Sequence, residues 1–181
     1  MAYTRFESTN MASTKYAARI FDAVATTDIE NGTFGYLDGL ADGESVTYNF
    51  KKGSKAGAEV VVADNPAWSE DTSKIVNQRR DNYIIKAGTR FRARVVKKDD
   101  EFGITKVGFT AASQAAVDTG AFVTIDSTTG KLVASATSTS GAKFEGKIMR
   151  ERIDGGKIVT AGGTVYGSED TIYEVKVNVV E

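Results

Sequence analysis

The feature that most constrains the fold is a series of short segments in which apolar and polar residues alternate. In SVTYNFKKG, Val46, Tyr48 and Phe50 lie on one side of the pattern, with Thr47 and Asn49 on the other. Alternation with a period of two is typical of a half-buried β-strand, and no long segment has the 3.6-residue period of an amphipathic helix. The local pattern therefore predicts strands.

Turn-forming residues separate these segments at regular intervals. Roughly ten short strands follow one another about 8 to 15 residues apart. The chain has 18 glycines, many of them in these turns, and a single proline, Pro66. Because Pro66 cannot donate a backbone hydrogen bond to a sheet, it marks a strand end or a loop. The sequence predicts an all-β fold, a β-barrel or β-sandwich of many short antiparallel strands with an extended N-terminal arm.

The first 15 residues, MAYTRFESTNMASTK, are polar and show no sustained period. They predict a flexible N-terminal arm, residues 1–15, ahead of a β-domain of residues 16–181. The arm is either a free terminus or a segment that orders on a partner, with Tyr3 and Phe6 as apolar anchors. The β-domain is long enough to form two lobes, and their boundary would then lie near residues 69–81.

The composition argues against catalysis. The chain contains no cysteine and no histidine. These absences exclude disulfides and zinc–sulfur sites and remove the most frequent general base and metal ligand. The acidic clusters DIENG and DGLADGE do not have the ligand spacing of a calcium-binding loop. We therefore expect a protein that is not an enzyme and that has no cofactor and no bound metal.

The hydropathy of the chain gives no sign of membrane insertion or secretion. No stretch approaches the roughly 18 apolar residues that a membrane span needs. The N-terminus, MAYTRFESTN, lacks the apolar core of a secretory signal. We expect a protein without a membrane partner that stays in the cytoplasm where it is made.

Positive charge is concentrated in one part of the chain. The stretch from Lys74 to Lys98 carries a charge of +8, while the remaining residues carry −9. This asymmetry predicts a basic patch on an acidic body, which would suit contact between copies or binding to an acidic partner. The candidate interface residues in this stretch are Arg79, Arg80, Arg90, Arg92, Arg94, Lys97 and Lys98.

The segment RFRARV places Arg90, Arg92 and Arg94 in one row if it is a strand. Three interpretations stay open: a solvated or intramolecularly paired face, an ion-pair surface for another protein, and a site for single-stranded nucleic acid. The third is the least favoured, because no aromatic platform lies between the arginines and the rest of the chain is acidic.

The single tryptophan, Trp68, lies beside Pro66 in the segment NPAWSED. One interpretation is a loop residue that folds back over the core. The other is an interface anchor, because partly exposed tryptophans are frequent binding hot spots. We include Trp68 among the candidate interface residues.

Four runs resemble the all-β capsid decoration (head cement) proteins of tailed bacteriophages. They are ARIFDAVATTDIENGTFGYLDGLADGES, VVVADNPAW, NYIIKAGTRFRARVVKKDDEFGIT and GAFVTIDSTTGKLVAS. The resemblance lies in the texture and order of the segments and spans roughly residues 16–181. It implies a non-enzymatic virion protein that binds the major capsid protein on the outer surface of the shell and stabilises that shell.

The same resemblance implies synthesis in the host cytoplasm, assembly into the virion, and self-association, with a trimer as one arrangement. A tail-tube or tail-tip protein is the main alternative, because those proteins are also rich in β-strands and self-associate. A single-stranded nucleic-acid-binding β-barrel is the less favoured alternative.

Overall fold

The protein is described by a computed structural model that covers residues 3–16, 19–66, 83–154, 159–161, 164–166 and 170–180. Strands dominate this part of the chain, and the helices are short. The prediction of an all-β fold with a barrel or sandwich is confirmed.

Thirteen strands and one α-helix follow each other in the described residues. The strands that form the N-terminal half are β1 (Phe6–Asn10), β2 (Ile20–Val24), β3 (Phe34–Leu40), β4 (Thr47–Lys52), β5 (Val61–Ala63) and β6 (Arg90–Val95), and the helix α1 (Ala12–Tyr16) lies between β1 and β2. The later strands are β7 (Glu101–Thr105), β8 (Phe122–Ile125), β9 (Leu132–Ser135), β10 (Phe144–Asp154), β11 (Val159–Ala161), β12 (Thr164–Tyr166) and β13 (Asp170–Val180). Two 3-10 helices, Lys106–Gly108 and Ala111–Ala116, lie between β7 and β8.

Five strands close into a barrel in the order β2-β4-β3-β5-β6. The pairing of β2 with β4 is parallel, and the other pairings are antiparallel. Alternate residues of these strands point into the barrel and form its core, which comprises Ala23, Phe50, Val61, Ala63, Phe91, Ala93 and Val95 together with Ala25, Ile29 and Ile85. Closure leaves each of the five strands with a neighbour on both sides.

Six strands form an open antiparallel sheet in the order β1-β7-β13-β10-β8-β9. One face of this sheet packs on the outside of the barrel. The Phe34 ring of β3 lies 5.4 Å from the rings of Phe102 and Phe144, which belong to the sheet. Val60 and Val62 join the same buried cluster. The barrel and the sheet therefore share a hydrophobic core.

Two glycines make the contact between barrel and sheet tight. Gly53 at the end of β4 and Gly130 in the β8–β9 turn both have positive φ angles, +86° and +69°. A Cβ at Gly53 would lie 2.0 Å from the Ser127 carbonyl oxygen, and one at Gly130 would lie 2.2 Å from that of Phe34. Both positions require glycine, because an L side chain there would clash with backbone as well as adopt a rare conformation.

Residues 3–15, within the predicted N-terminal arm of residues 1–15, lie against the six-stranded sheet. The segment is extended at β1, as expected, but β1 pairs antiparallel with β7 and forms an edge of the sheet. Phe6 and Met11 are buried in the shared core. Asp100 fixes the start of α1 by accepting a hydrogen bond from the Ala12 N–H at 2.7 Å. Phe6, one of the two predicted anchors for a partner, is thus buried against the protein's own sheet.

The predicted lobe boundary near residues 69–81 lies outside the described residues, because the structure does not describe residues 67–82. Along the described chain, the last barrel strand ends at Val95 and the next sheet strand begins at Glu101.

The longest pairing in the molecule joins β10 and β13, from Phe144↔Val180 to Asp154↔Asp170. The register shifts twice along it, between Glu145 and Gly146 and between Ile148 and Arg150. These β-bulges re-aim the side chains that follow them. The second bulge falls at Met149, so the alternation of backbone groups along β10 starts again at Arg150.

Candidate interaction surfaces

The arginine row of β6 lies on the outside of the barrel, as its alternation predicted. Phe91, Ala93 and Val95 are buried inside, and the intervening arginines point outwards. The strand pairs with β2 on one side and with β5 on the other. Its backbone is therefore not available to a further strand, and only the side chains can contact a partner.

Arg94 is buried rather than displayed, with only 9% of its surface exposed. Its Nε donates a hydrogen bond to Asp64 Oδ2 at 2.5 Å, and Ser8 Oγ donates to the same oxygen at 2.7 Å. Because Ser8 belongs to β1, this set of contacts fastens the N-terminal strand to the barrel. The third arginine of the row is part of the protein's own structure.

Three other basic residues of the patch also have acidic neighbours. Arg90 Nη2 forms an ion pair with Glu44 Oε1 at 2.5 Å, and Arg92 lies directly opposite Asp22 in the β2–β6 register. Lys97 Nζ lies 2.7 Å from Glu59 Oε1. This geometry fits the intramolecularly paired interpretation of the row.

Lys97 also affects the titration of its partner. Its hydrogen bond holds the pKa of the Glu59 carboxyl below its ordinary value, and the positive charges of Lys97 and Arg19 act in the same direction. Lys98, next in the chain, is exposed. Much of the basic patch that the sequence suggested is thus neutralised by the acidic remainder of the same chain.

The remaining candidate interface residues differ in where they lie. The Phe6 ring lies 5.4 Å from that of Phe102 inside the shared core, so Phe6 is not an exposed anchor. Tyr3 is half-buried. Trp68, Arg79 and Arg80 lie outside the described residues.

A second set of paired charges lies on the outer face of the six-stranded sheet, which we call the outer-face ladder. Arg152 of β10 is its hub: Nη2 contacts Glu7 Oε2 at 2.5 Å, and Nε contacts Glu174 Oε1 at 3.3 Å. Arg150 also donates to Glu174, and Arg5 bridges Glu7 and Asp154. The ladder comprises Arg5, Glu7, Arg150, Arg152, Asp154 and Glu174.

The outer-face ladder was missed at the level of sequence because its members come from distant parts of the chain. Glu7 lies on β1, Glu174 on β13 and Arg152 on β10. The local signal was present, since MRERID alternates basic and other residues much as RFRARV does. Only the strand order β1-β7-β13-β10 of the sheet brings the opposite charges together.

Two adjoining grooves lie beside the ladder, with volumes of about 240 and about 360 Å³. Glu101, Arg150 and Glu174 line both of them. Gly103 forms part of the floor of the first, and Met149 part of the wall of the second. Both depressions are partly open to solvent and are lined in part by charged side chains, which suits contact with a charged segment of another macromolecule.

The ladder favours the ionised state of Glu174. The hydrogen bond from Arg150 lowers the pKa of Glu174, and the one from Arg152 adds to it. A general acid or base needs a pKa near the working pH. The pKa of Glu174 is shifted away from neutral pH, so its arrangement suits permanent ion pairing.

Three further observations complete the description of the site. Within the described ranges, no group of three or more acidic residues is placed to hold a metal ion. No helix in that part of the chain has the length and hydropathy needed to span a membrane. No protein-family model, no curated protein and no solved structure matches this chain.

Proposed function

We propose that this protein is a non-enzymatic structural protein of a tailed bacteriophage, which binds the outer surface of the capsid and stabilises the shell. The observation that carries the proposal is the resemblance of four sequence runs to capsid decoration proteins. In the fold, these runs contain β2 and β3, then β5, then β6 and β7, and finally β8 and β9.

The architecture supports this proposal in a general way. The closed barrel and the open sheet pack on each other through a buried core, as expected for a rigid scaffold. Charged side chains form ion pairs on the outside of the barrel and on the outer face of the sheet. The grooves beside the outer-face ladder are partly open to solvent. A protein that binds many equivalent sites on a shell gains avidity from repetition, so each single contact can be modest.

The partner in this proposal is the phage major capsid protein, and the location is the surface of the virion after synthesis in the host cytoplasm. Self-association, with a trimer as one arrangement, would place several copies around a symmetry axis of the shell. A tail-tube or tail-tip protein is the alternative within the virion, and it would form rings or tubes in isolation. The single-stranded nucleic-acid alternative is weakened by the carboxylates that already pair with Arg90 and Arg94.

The test uses empty shells assembled from the major capsid protein of the genome that encodes this chain. We expect the purified protein to co-sediment with the shells, to appear as regular surface density by electron microscopy, and to raise their disruption temperature. Failure to bind such shells, together with unchanged shell stability, would refute the proposal. Rings or tubes formed by the protein alone would favour the tail alternative.

A further inference from the structure

The strand β10 has an open edge over its second half. On the side away from β13, β8 pairs only with Gly146 and Lys147 of β10. The last backbone contacts on that side are made by Ile148. Beyond it, in the part of the chain that the structure describes, no strand pairs with this side of β10 between Met149 and Asp154.

The orientation of the backbone groups along this edge follows from Ile148. Its N–H donates to the Ala121 carbonyl at 2.9 Å, and its carbonyl accepts from the Gly120 N–H at 2.8 Å, so both groups point away from β13. After the bulge, Arg150 pairs with Glu174 and the alternation resumes. We infer that the backbone groups of Arg150 point towards β13. Because the direction alternates along an antiparallel strand, the groups that point away from β13 are then those of Glu151 and Ile153.

Large apolar side chains are exposed at this edge. Met149 is 53% exposed and Ile153 is 65% exposed. The segment MRERID contains no proline, and its four charged side chains, those of Arg150, Glu151, Arg152 and Asp154, disfavour pairing with any strand that does not carry complementary charge. Unpaired backbone groups next to exposed apolar side chains are the features by which a sheet accepts an additional strand.

The charges on the outer face of the edge indicate what kind of strand would fit. Arg150 is the most exposed arginine of the ladder, at 68% of its side chain, and only its Nε is bonded to Glu174. Among the described residues, its two Nη nitrogens have no hydrogen-bond partner. A strand added beside β10 would place its own outer-face residues opposite Arg150 and Arg152, where acidic side chains are favourable.

A second copy of β10 fits this edge less well. A two-fold axis normal to the sheet must pair residues of the same face. Centred on Glu151, it sets Arg150 against Arg152. Centred on Arg152, it sets that arginine against itself at the centre of the pairing and places Arg150 opposite Asp154. Centred on Ile153, it pairs Arg152 with Asp154 but covers only three described residues. Like charges opposite each other destabilise a sheet, so an acidic strand is the better occupant.

We propose that the open edge of β10, from Met149 to Asp154, binds an extended segment of a partner protein as an added strand, with acidic side chains of that segment facing Arg150 and Arg152. This inference goes beyond the proposed function by naming the docking edge and the chemistry of the segment. Its test uses a peptide and no capsid, so that either proposal can fail alone.

The test measures binding of a blocked peptide of alternating glutamate and valine, with alternating lysine and valine as the control peptide. Amide hydrogen exchange, followed by NMR, reports on Glu151 and Ile153. We expect the acidic peptide to slow exchange at these two amides about tenfold or more, because they gain hydrogen bonds, and the basic peptide to leave them unchanged.

Two variants test the edge independently. Ile153→Pro removes an outward N–H, and Arg150→Glu reverses a charge that faces the added strand. Each is expected to weaken binding of the acidic peptide about tenfold. Arg90→Glu is the matched control, because Arg90 is similarly exposed and paired with a carboxylate but lies on the closed barrel. If Ile153→Pro does not fold, Arg150→Glu against Arg90→Glu still decides the outcome.

Three results would overturn the inference. The acidic peptide fails to bind, or the two peptides bind equally, or Arg90→Glu weakens binding as much as Arg150→Glu. A fourth concerns a second copy: since the chain has no cysteine, Ile153→Cys gives a single thiol. Efficient cross-linking of this variant between copies, together with exchange protection that rises with protein concentration, would assign the edge to self-association instead.

Discussion

Two strands of this protein carry alternating arginines, and they differ in how their edges are used. The strand β6, with the sequence RFRARV, is enclosed between β2 and β5 in a closed barrel. The strand β10, which contains MRERID, is paired with β13 along its length but with β8 over only two residues. Alternating arginines thus identify a polar strand face, whereas strand pairing decides whether the edge of that strand can bind anything.

The counter-charges of the two strands also differ in origin. On the barrel, Glu44 and Asp64 lie just outside the strands and reach Arg90 and Arg94. On the sheet, the carboxylate of Glu174 projects from the adjacent strand β13, and that of Glu7 reaches the ladder from β1, which lies beyond β13 and β7. The barrel pairs range from buried to exposed, so substitutions along β6 should have very different costs.

The largest effect is expected for Arg94→Ala. Removing one partner of a buried ion pair leaves Asp64 in a poorly solvated position, and such changes cost about 3–5 kcal/mol. The free energy of unfolding, measured in urea, should fall by an amount of that order. The control is Arg90→Ala, whose exposed pair should contribute only about 0–1 kcal/mol. Equal losses in the two variants would contradict the distinction between buried and exposed members of the row.

An intermediate effect is expected for Glu174→Gln on the sheet. The pKa of Glu174 is lowered in the folded protein, chiefly by the hydrogen bond from Arg150. A lowered pKa stabilises the fold above the unfolded-state pKa, and this contribution is lost as the pH falls through the folded-state pKa. The substitution should lower the free energy of unfolding at neutral pH by about 1–2 kcal/mol.

The pH dependence provides the check for Glu174. Unfolding measured from about pH 6 to about pH 3 should show a shallower loss of stability for Glu174→Gln than for the unchanged protein. Glu151→Gln is the matched control, because Glu151 is an exposed carboxylate on β10 outside the ladder. An unchanged slope for Glu174→Gln would show that the ladder does not contribute to acid stability.

The smallest effect on stability is expected for Arg92→Glu. Arg92 is exposed and lies opposite Asp22, so the substitution replaces a favourable cross-strand pair by a repulsive one, at a cost of about 0.5–1 kcal/mol. If the open edge of β10 is the docking site, Arg92→Glu should leave binding to capsid shells unchanged, whereas Arg150→Glu should weaken it. Co-sedimentation with shells compares the two, and the reverse order would place the interface on the barrel.

Local pattern predicted much of the strand content. The alternation of RFRARV placed Phe91 and Ala93 inside and the arginines outside, as the barrel confirms. The segment AFVTIDSTTGKLVAS, in which two alternating runs flank the turn residues STTG, forms the hairpin of β8 and β9. Both features depend on residues close in sequence, where period and turn chemistry are sufficient signals.

The N-terminal segment shows where local pattern fails. Phe6 and Met11 are isolated apolar residues among serines and threonines, so no period marked β1 as a strand. Its partner β7 lies about a hundred residues further along, with Phe6 opposite Ile104. Such a pairing depends on long-range burial, which the local sequence does not encode.

The sequence by itself determined the β character of this chain, the inward and outward faces of β6, and the separation of basic from acidic segments. Only the tertiary structure decided which strands close into a barrel, which carboxylate meets which arginine, and which edge stays open. The physical reason is that side-chain alternation is a property of a single strand, whereas edge pairing and charge neutralisation are properties of strands that meet from distant parts of the chain.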